Sequence, residues 1–322
     1  MALILHNGRF IRDQWPSLPR VEKDPLTLEN ADPANIVPDT REELLHWAYV
    51  QKAADSVPSF LRFDVLHNAI FDDARLAHRV VVRVQGFVAK AEMSTLGTWN
   101  GNHKMLPQAS QFLVLNGGEH HALFTAQCKA MTEICGLVYS SLHLGDRPEV
   151  GGKSLRLSRR VFTKRTAEDD RPNLLLRSDD PKLIASNLPQ GWFVANKVVF
   201  AYQDEQGKLR PCTHMVFRRG DFVDVAVGVD VYRTNGQGGR QWHVDFTMER
   251  VIKLKSGQEV NLAKGPKPAP KVSSVGSARV VAQQDFELDI DVGTNSAHAS
   301  QVRNGATVEN SAAGEEVVMK ER

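Results

Sequence analysis

The stretch RRGDFVDVAVGVDVYRTNGQGGRQWHVDFTMERVIKL, residues 218–254, decides the fold class. Val223, Val225, Val227, Val229 and Val231 fall on one side of an extended chain. Phe222, Asp224, Ala226, Gly228, Asp230 and Tyr232 fall on the other. A period of two over this length specifies a strand with one buried face. From Arg233 to Gln241 the Asn and Gly residues tolerate positive φ and close a loop. Trp242, Val244, Phe246 and Met248 then alternate with His243, Asp245 and Thr247, and the run ends in Val251, Ile252 and Leu254. The reading is a long antiparallel hairpin with a basic, glycine-rich tip.

The rest of the chain is ordinary in bulk. Its 322 residues suffice for a large core, and 42% hydrophobic with 24% charged residues and a net charge of +2 is a globular composition that demands no polyanionic partner. Three cysteines make no disulfide framework, the N-terminal apolar run is too short for a signal peptide, and no apolar run reaches the ~18 residues of a membrane span. The expectation is an intracellular protein, cytoplasmic or nuclear, with no membrane partner.

Prolines at 16, 19, 25, 33 and 38 make residues 1–39 an extended arm that lies on the domain surface or is partly disordered. Residues 40–145 form a first β-rich block opened by a helix, for which Thr40 and Glu43 have capping-box spacing, Leu44, Trp47, Ala48 and Gln51 have helical spacing, and Pro58 ends any continuation. Within it, residues 78–93 and QFLVLNGGEH read as strands. HALFTAQCKAMTEICGLVYSSL reads either as a helix or as two short strands, helix in its first half and extended at VYSS. Residues 146–190 read as a basic, charged connection, 191–257 as a second β-rich block with a DEQGK turn, and 258–322 as a disordered tail.

Few motifs carry chemistry. PEVGGKSLRLS lacks the first glycine of a phosphate-binding P-loop, because Arg147 stands where it is needed. His120, His121, Cys128, Cys135 and His143 lack the close pairs of a structural metal site, and the cysteines read as small buried hydrophobes. No nucleophile–base pair stands out, so no catalytic residue, metal or cofactor is assigned, and an enzyme is the third reading. The basic residues are segregated, however. Arg147, Lys153, Arg156, Arg159, Arg160, Lys164 and Arg165 crowd into one stretch with the single acid Glu149. Such a cluster binds phosphates in a salt-sensitive way.

The hairpin is similar to the end of an OB-fold domain of the single-stranded-DNA-binding-protein type, over about forty residues: Arg219-Gly220-Asp221, the valine strand with Gly228, the Arg233–Arg240 loop, and the close Val251-Ile252-Lys253-Leu254. The resemblance implies that Arg218, Arg219, Arg233 and Arg240 follow a nucleic-acid backbone and that Tyr232 and Trp242 stack on bases. Trp242 also continues the apolar stripe and so competes as a core residue. The segment around Phe286, DFELDID, resembles a partner-recruiting acidic tail.

These readings combine into a mainly β protein with some α, an antiparallel barrel or sandwich of OB-like type, with a Pro-rich arm and a disordered tail. The expected function is non-enzymatic binding of single-stranded DNA or RNA through Arg156, Arg159, Arg160, Lys164 and Arg165 together with the hairpin residues. The alternative is a structural or assembly protein of capsid or scaffold type, working as an oligomer.

Overall fold

A computed structural model describes residues 1–15, 18–19, 26–53, 62–68, 78–145, 149–165, 170–236 and 239–263. All of them belong to the unit Met1–Pro268; the segment around Phe286 lies outside the described residues. In chain order the strands are β1 (Ala2–His6), β2 (Arg9–Phe10), β3 (Ile36–Val37), β4 (Ala48–Lys52), β5 (Arg62–His67), β6 (Val81–Glu92), β7 (Ser110–Asn116), β8 (Ser154–Arg160), β9 (Thr163–Lys164), β10 (Trp192–Phe193), β11 (Val199–Gln203), β12 (Leu209–Pro211), β13 (Phe222–Gly236) and β14 (Gly239–Lys255). The α-helices are α1 (Arg41–Trp47), α2 (His121–Ser141) and α3 (Gly257–Ala263).

The opening hairpin is β13 and β14, and it organises the sheet. On its valine face Val231 pairs with Val244, Val229 with Phe246, Val227 with Met248 and Val225 with Val251. A register shift between Ala226 and Val227 leaves Glu249 without a partner, which is why the alternation of β14 breaks before Val251. Pairing continues to Gly236 and Gly239, so the loop is shorter than the sequence suggested.

β6 pairs antiparallel with β13 on one side and with β7 on the other, and β7 pairs antiparallel with β8. β8 returns to β14 through a single parallel pair, Ser158 with Thr247. The strands β6, β7, β8, β14 and β13 thus form a ring. Val82, Val84, Val88, Leu113, Leu115, Leu155 and Leu157 share the valine face of β13 and are buried in one core cluster. Gly86 admits α2 to this core, because a Cβ there would lie 3.2 Å from the Phe124 ring and 2.9 Å from the Asn116 carbonyl.

On the opposite face of β6 and β13, the Arg83 guanidinium donates to both carboxylate oxygens of buried Asp224, at 3.0 and 2.7 Å, and the Gln85 amide adds a third bond at 2.7 Å. Asp224 is therefore a paired interior group rather than a solubilising one.

Several expectations change. The supposed connection at 146–190 contains β8, which closes the ring: Leu155 and Leu157 alternate with Arg156, Ser158 and Arg160, a period-two pattern hidden among basic residues. The first residues are not simply a surface arm. Ala2, Leu3 and Ile4 are buried, β1 pairs in parallel with β6 and β3, and Trp15 sets its ring edge-on to Phe222 at 5.1 Å. α2 is one continuous helix through VYSS, because Leu137 and Val138 are buried against the core and tertiary packing overrides a local extended preference. α1 is capped by the Thr40 hydroxyl, which accepts from the Glu43 amide at 3.3 Å, but it ends at Trp47 because Ala48–Lys52 pairs with β5. Residues 257–263, most of them assigned to the tail from sequence, form α3 and bury Val260, and the remainder of that segment lies outside the described residues. The DEQGK turn forms as read: Asp204 accepts from the amides of Gln206 and Lys208 at 3.1 and 2.8 Å.

A second apolar cluster joins the β6–β7 loop to the chain after β8. Leu96, Trp99, Leu106 and Ala109 pack with Val161, Phe162 and Val194 at one end of the outer face.

Candidate nucleic-acid interface

The inward and outward faces of β6, β7 and β8 divide cleanly. With Leu113, Leu115, Leu155 and Leu157 turned inward, the register places Lys90, Val114 and Arg156 in one outward row and Glu92, Phe112 and Ser158 in the next. Arg156 is exposed, and its guanidinium carbon lies 4.1 Å from the centre of the Phe112 ring; the Lys90 ammonium lies 5.9 Å from the same centre.

Four residues further along β8, exposed Arg160 sets its guanidinium carbon 4.0 Å from the centre of the Tyr232 ring. His243 stacks with the same ring, centroids 5.2 Å apart and 17° between planes. The Tyr232 hydroxyl donates to Asp245 at 2.8 Å. Burial, helped by the Asp245 charge, pushes the Tyr232 phenol above its usual range.

Other basic residues do different work. Arg159 has the parity of Leu155 and Leu157, is half-buried, and donates to the Met248 carbonyl at 2.7 Å, holding β8 to β14. Arg165 stacks on buried Phe193 with its guanidinium carbon 4.2 Å from the ring centre, beside exposed Lys164 in the small β9–β10 sheet. Trp242 is partly buried against the core and meets Phe63 at 5.5 Å, and the Arg233 guanidinium carbon stands 5.9 Å from its ring. Arg240 lies in β14 opposite Asn235, but its side chain is outside the described residues.

Arg218 and Arg219 are exposed at the far end of the hairpin, separated from Arg233 by about 45 Å of extended chain. They line a groove of about 680 Å³ with Phe87, Met215, Val216 and Lys253. The groove is pinned by Asp221, which accepts from the amides of Arg218 and Gly257 at 2.8 and 2.9 Å and pairs with the Lys253 ammonium at 2.8 Å. Gly220 holds φ at +90°, and its carbonyl carbon would lie 2.9 Å from a Cβ on Gly257, so both positions require glycine. The basic residues named from sequence therefore fall at separate places, and Arg156 with Arg160 shares the outer face of one strand.

Acidic groups limit this face on the hairpin side. Arg79 makes ion pairs with Asp64 at 3.8 Å, Glu249 at 3.4 Å and Asp230, whose other oxygen accepts from the Thr247 hydroxyl at 2.6 Å. Phe112 and Lys90 were not singled out from sequence. The signal was the alternation of QFLVLN, which sets Phe112 opposite in parity to the core residues Leu113 and Leu115. Cys128 and Cys135 are buried in α2, and among the described residues no group of three His, Cys, Asp or Glu is placed to hold a metal ion. Nor, among those residues, is any helix long and apolar enough to cross a membrane.

What the arrangement offers is exposed cations beside flat aromatic faces, groups suited to phosphates and to bases. No protein-family model matches the chain, and no curated protein matches it by sequence. Among solved structures it is similar to the single-stranded DNA-binding protein from bacteriophage Enc34, at 8% identity over 64% of this chain and 90% of that one, with a TM-score of 0.27. It is similar to gp2.5, a single-stranded DNA-binding protein encoded by bacteriophage T7, at 11% identity over 61% and 100% of the two chains, also with a TM-score of 0.27.

Proposed function

We propose that the chain binds single-stranded nucleic acid along the outward face of β7 and β8, without transforming it. The observation that carries this reading is the pair Arg156 and Arg160. They are exposed on one face of one strand, each with its guanidinium about one van der Waals contact from an aromatic ring. Exposed guanidiniums supply the counterion-releasing contacts of phosphate binding, and rings beside them supply stacking that tolerates any base.

Topology supports an OB-like form of the reading. Five strands make the ring, and it is partly open at β8–β14, where one residue pair joins them. In OB-folds the face of the second and third strands and the loops after the first and fourth strands take oligonucleotides. Counted along the ring's strands, those are β7 and β8, the loop at 93–109, and the β13–β14 tip.

The test is fluorescence anisotropy with labelled single- and double-stranded DNA and RNA at low and moderate salt. The reading expects salt-dependent preference for single strands. Equal or absent binding of all four sinks it, and a preference confined to RNA moves recognition to the 2′-hydroxyl.

A further inference from the structure

We infer that Phe112 is a base-stacking residue whose ring Arg156 covers in the free protein and releases when a strand binds. This rests on the single-strand reading above and names how that site takes a base. Phe112 stands in the outward row between Glu92 and Ser158, while Leu113 and Leu115 on the same strand fill the core. A ring in that row has no core to enter. It is nevertheless only 8% exposed, and two cations lie over it, the Arg156 guanidinium at 4.1 Å and, further off, the Lys90 ammonium.

Magnitudes decide the direction of exchange. A solvent-exposed guanidinium lying on a ring, as Arg156 does, is worth about two- to fivefold in an equilibrium. A base on a ring is worth about five- to a hundredfold. A base therefore displaces the guanidinium, and the displaced Arg156, tethered beside the ring, meets the phosphate attached to that base. The cation–ring contact is exchanged for a stacked base plus a neutralised phosphate, with release of its counterion. Arg160 on Tyr232, at 4.0 Å, repeats the device about 13 Å along the same strand. A double-stranded ligand keeps its bases in the duplex stack and gains only the phosphate contact, so the covered ring acts as a filter for unpaired bases.

The experiment compares dissociation constants for labelled oligothymidylate across a salt series for the wild type, Phe112→Leu, Phe112→Tyr and Arg156→Ala. Phe112→Leu keeps apolar volume but loses the flat face. Its line of log Kd against log salt should run parallel to wild type and about tenfold weaker. Phe112→Tyr keeps the ring and should bind as wild type. Arg156→Ala should give a line shallower by roughly 0.7 that approaches wild type at high salt. Wild-type affinity in Phe112→Leu, or a tenfold loss in Phe112→Tyr, overturns the stacking role while leaving single-strand binding intact. A wild type that binds no single strand overturns both.

Discussion

Arg160 and Tyr232 lie far apart in sequence, yet the guanidinium carbon of one stands 4.0 Å from the ring centre of the other. The contact links the outer face of β8 to the long hairpin, across the place where the ring of strands is joined by a single pair. The basic stretch after the first β-rich block and the hairpin, two separate features of the sequence, thereby become one surface.

Charge removal on that surface should appear in the salt dependence. Replacing Arg156 and Arg160 together with Ala removes two phosphate contacts, so the slope of log K against log salt for a single strand should fall by about 1.4. Anisotropy titrations at several salt concentrations check this, and an unchanged slope removes both residues from the track.

Arg159 should behave differently from its neighbours. It is half-buried and donates to the Met248 carbonyl, so Arg159→Ala removes a charged hydrogen bond between β8 and β14 and should cost about 1.5–3 kcal/mol of stability. The salt slope of binding should stay at the wild-type value. Denaturant unfolding and titration of the same preparation separate the two effects.

The Arg83–Asp224 pair is interior, with both groups nearly inaccessible. Asp224→Ala strands a buried guanidinium and should cost about 3–5 kcal/mol, measured as a lowered denaturant midpoint with the slope unchanged.

His67 gives the fold a pH dependence. Burial first, then the charges of the N-terminus and His78, lower its pKa from 6.5 to about 4. Between those values the unfolded chain holds a proton that the folded chain does not, so stability falls as pH drops from 6.5 towards 4 and levels below it. The loss is at most about 3 kcal/mol. His67→Gln should flatten the thermal midpoint across that window relative to wild type.

The proposed track runs over Phe112 and Tyr232 and does not use Arg218 and Arg219, which line the groove beside Phe87 and Lys253. Replacing both with Ala should leave the affinity for a short oligonucleotide unchanged. A loss comparable to that of the Arg156 and Arg160 double variant would place the strand in the groove beside Phe87 and Lys253 instead.

The sequence made the hairpin legible because valine alternation and an Asn-Gly tip are local signals. It also showed β6, β7 and the cap of α1 at Thr40. It hid β8 because only Leu155 and Leu157 mark the period there, while basic residues on the other side read as solvated loop. Arg159 looked equivalent to Arg156 and Arg160, although parity alone separates it from them. Phe112 sat in an apolar run whose outward member is distinguished only once Leu113 and Leu115 are known to face the core. Chain pairing between distant segments, β1 with β6 and β8 with β14, has no local sequence signature.

The most direct test of where the strand lies is photo-crosslinking of the full chain to oligothymidylate, followed by peptide mapping by mass spectrometry. The account predicts adducts on the peptides that carry Phe112 and Tyr232, reduced in Phe112→Leu and lost at high salt. Adducts confined to the groove of Arg218, Arg219 and Lys253, with none on β7 or β13, would contradict it.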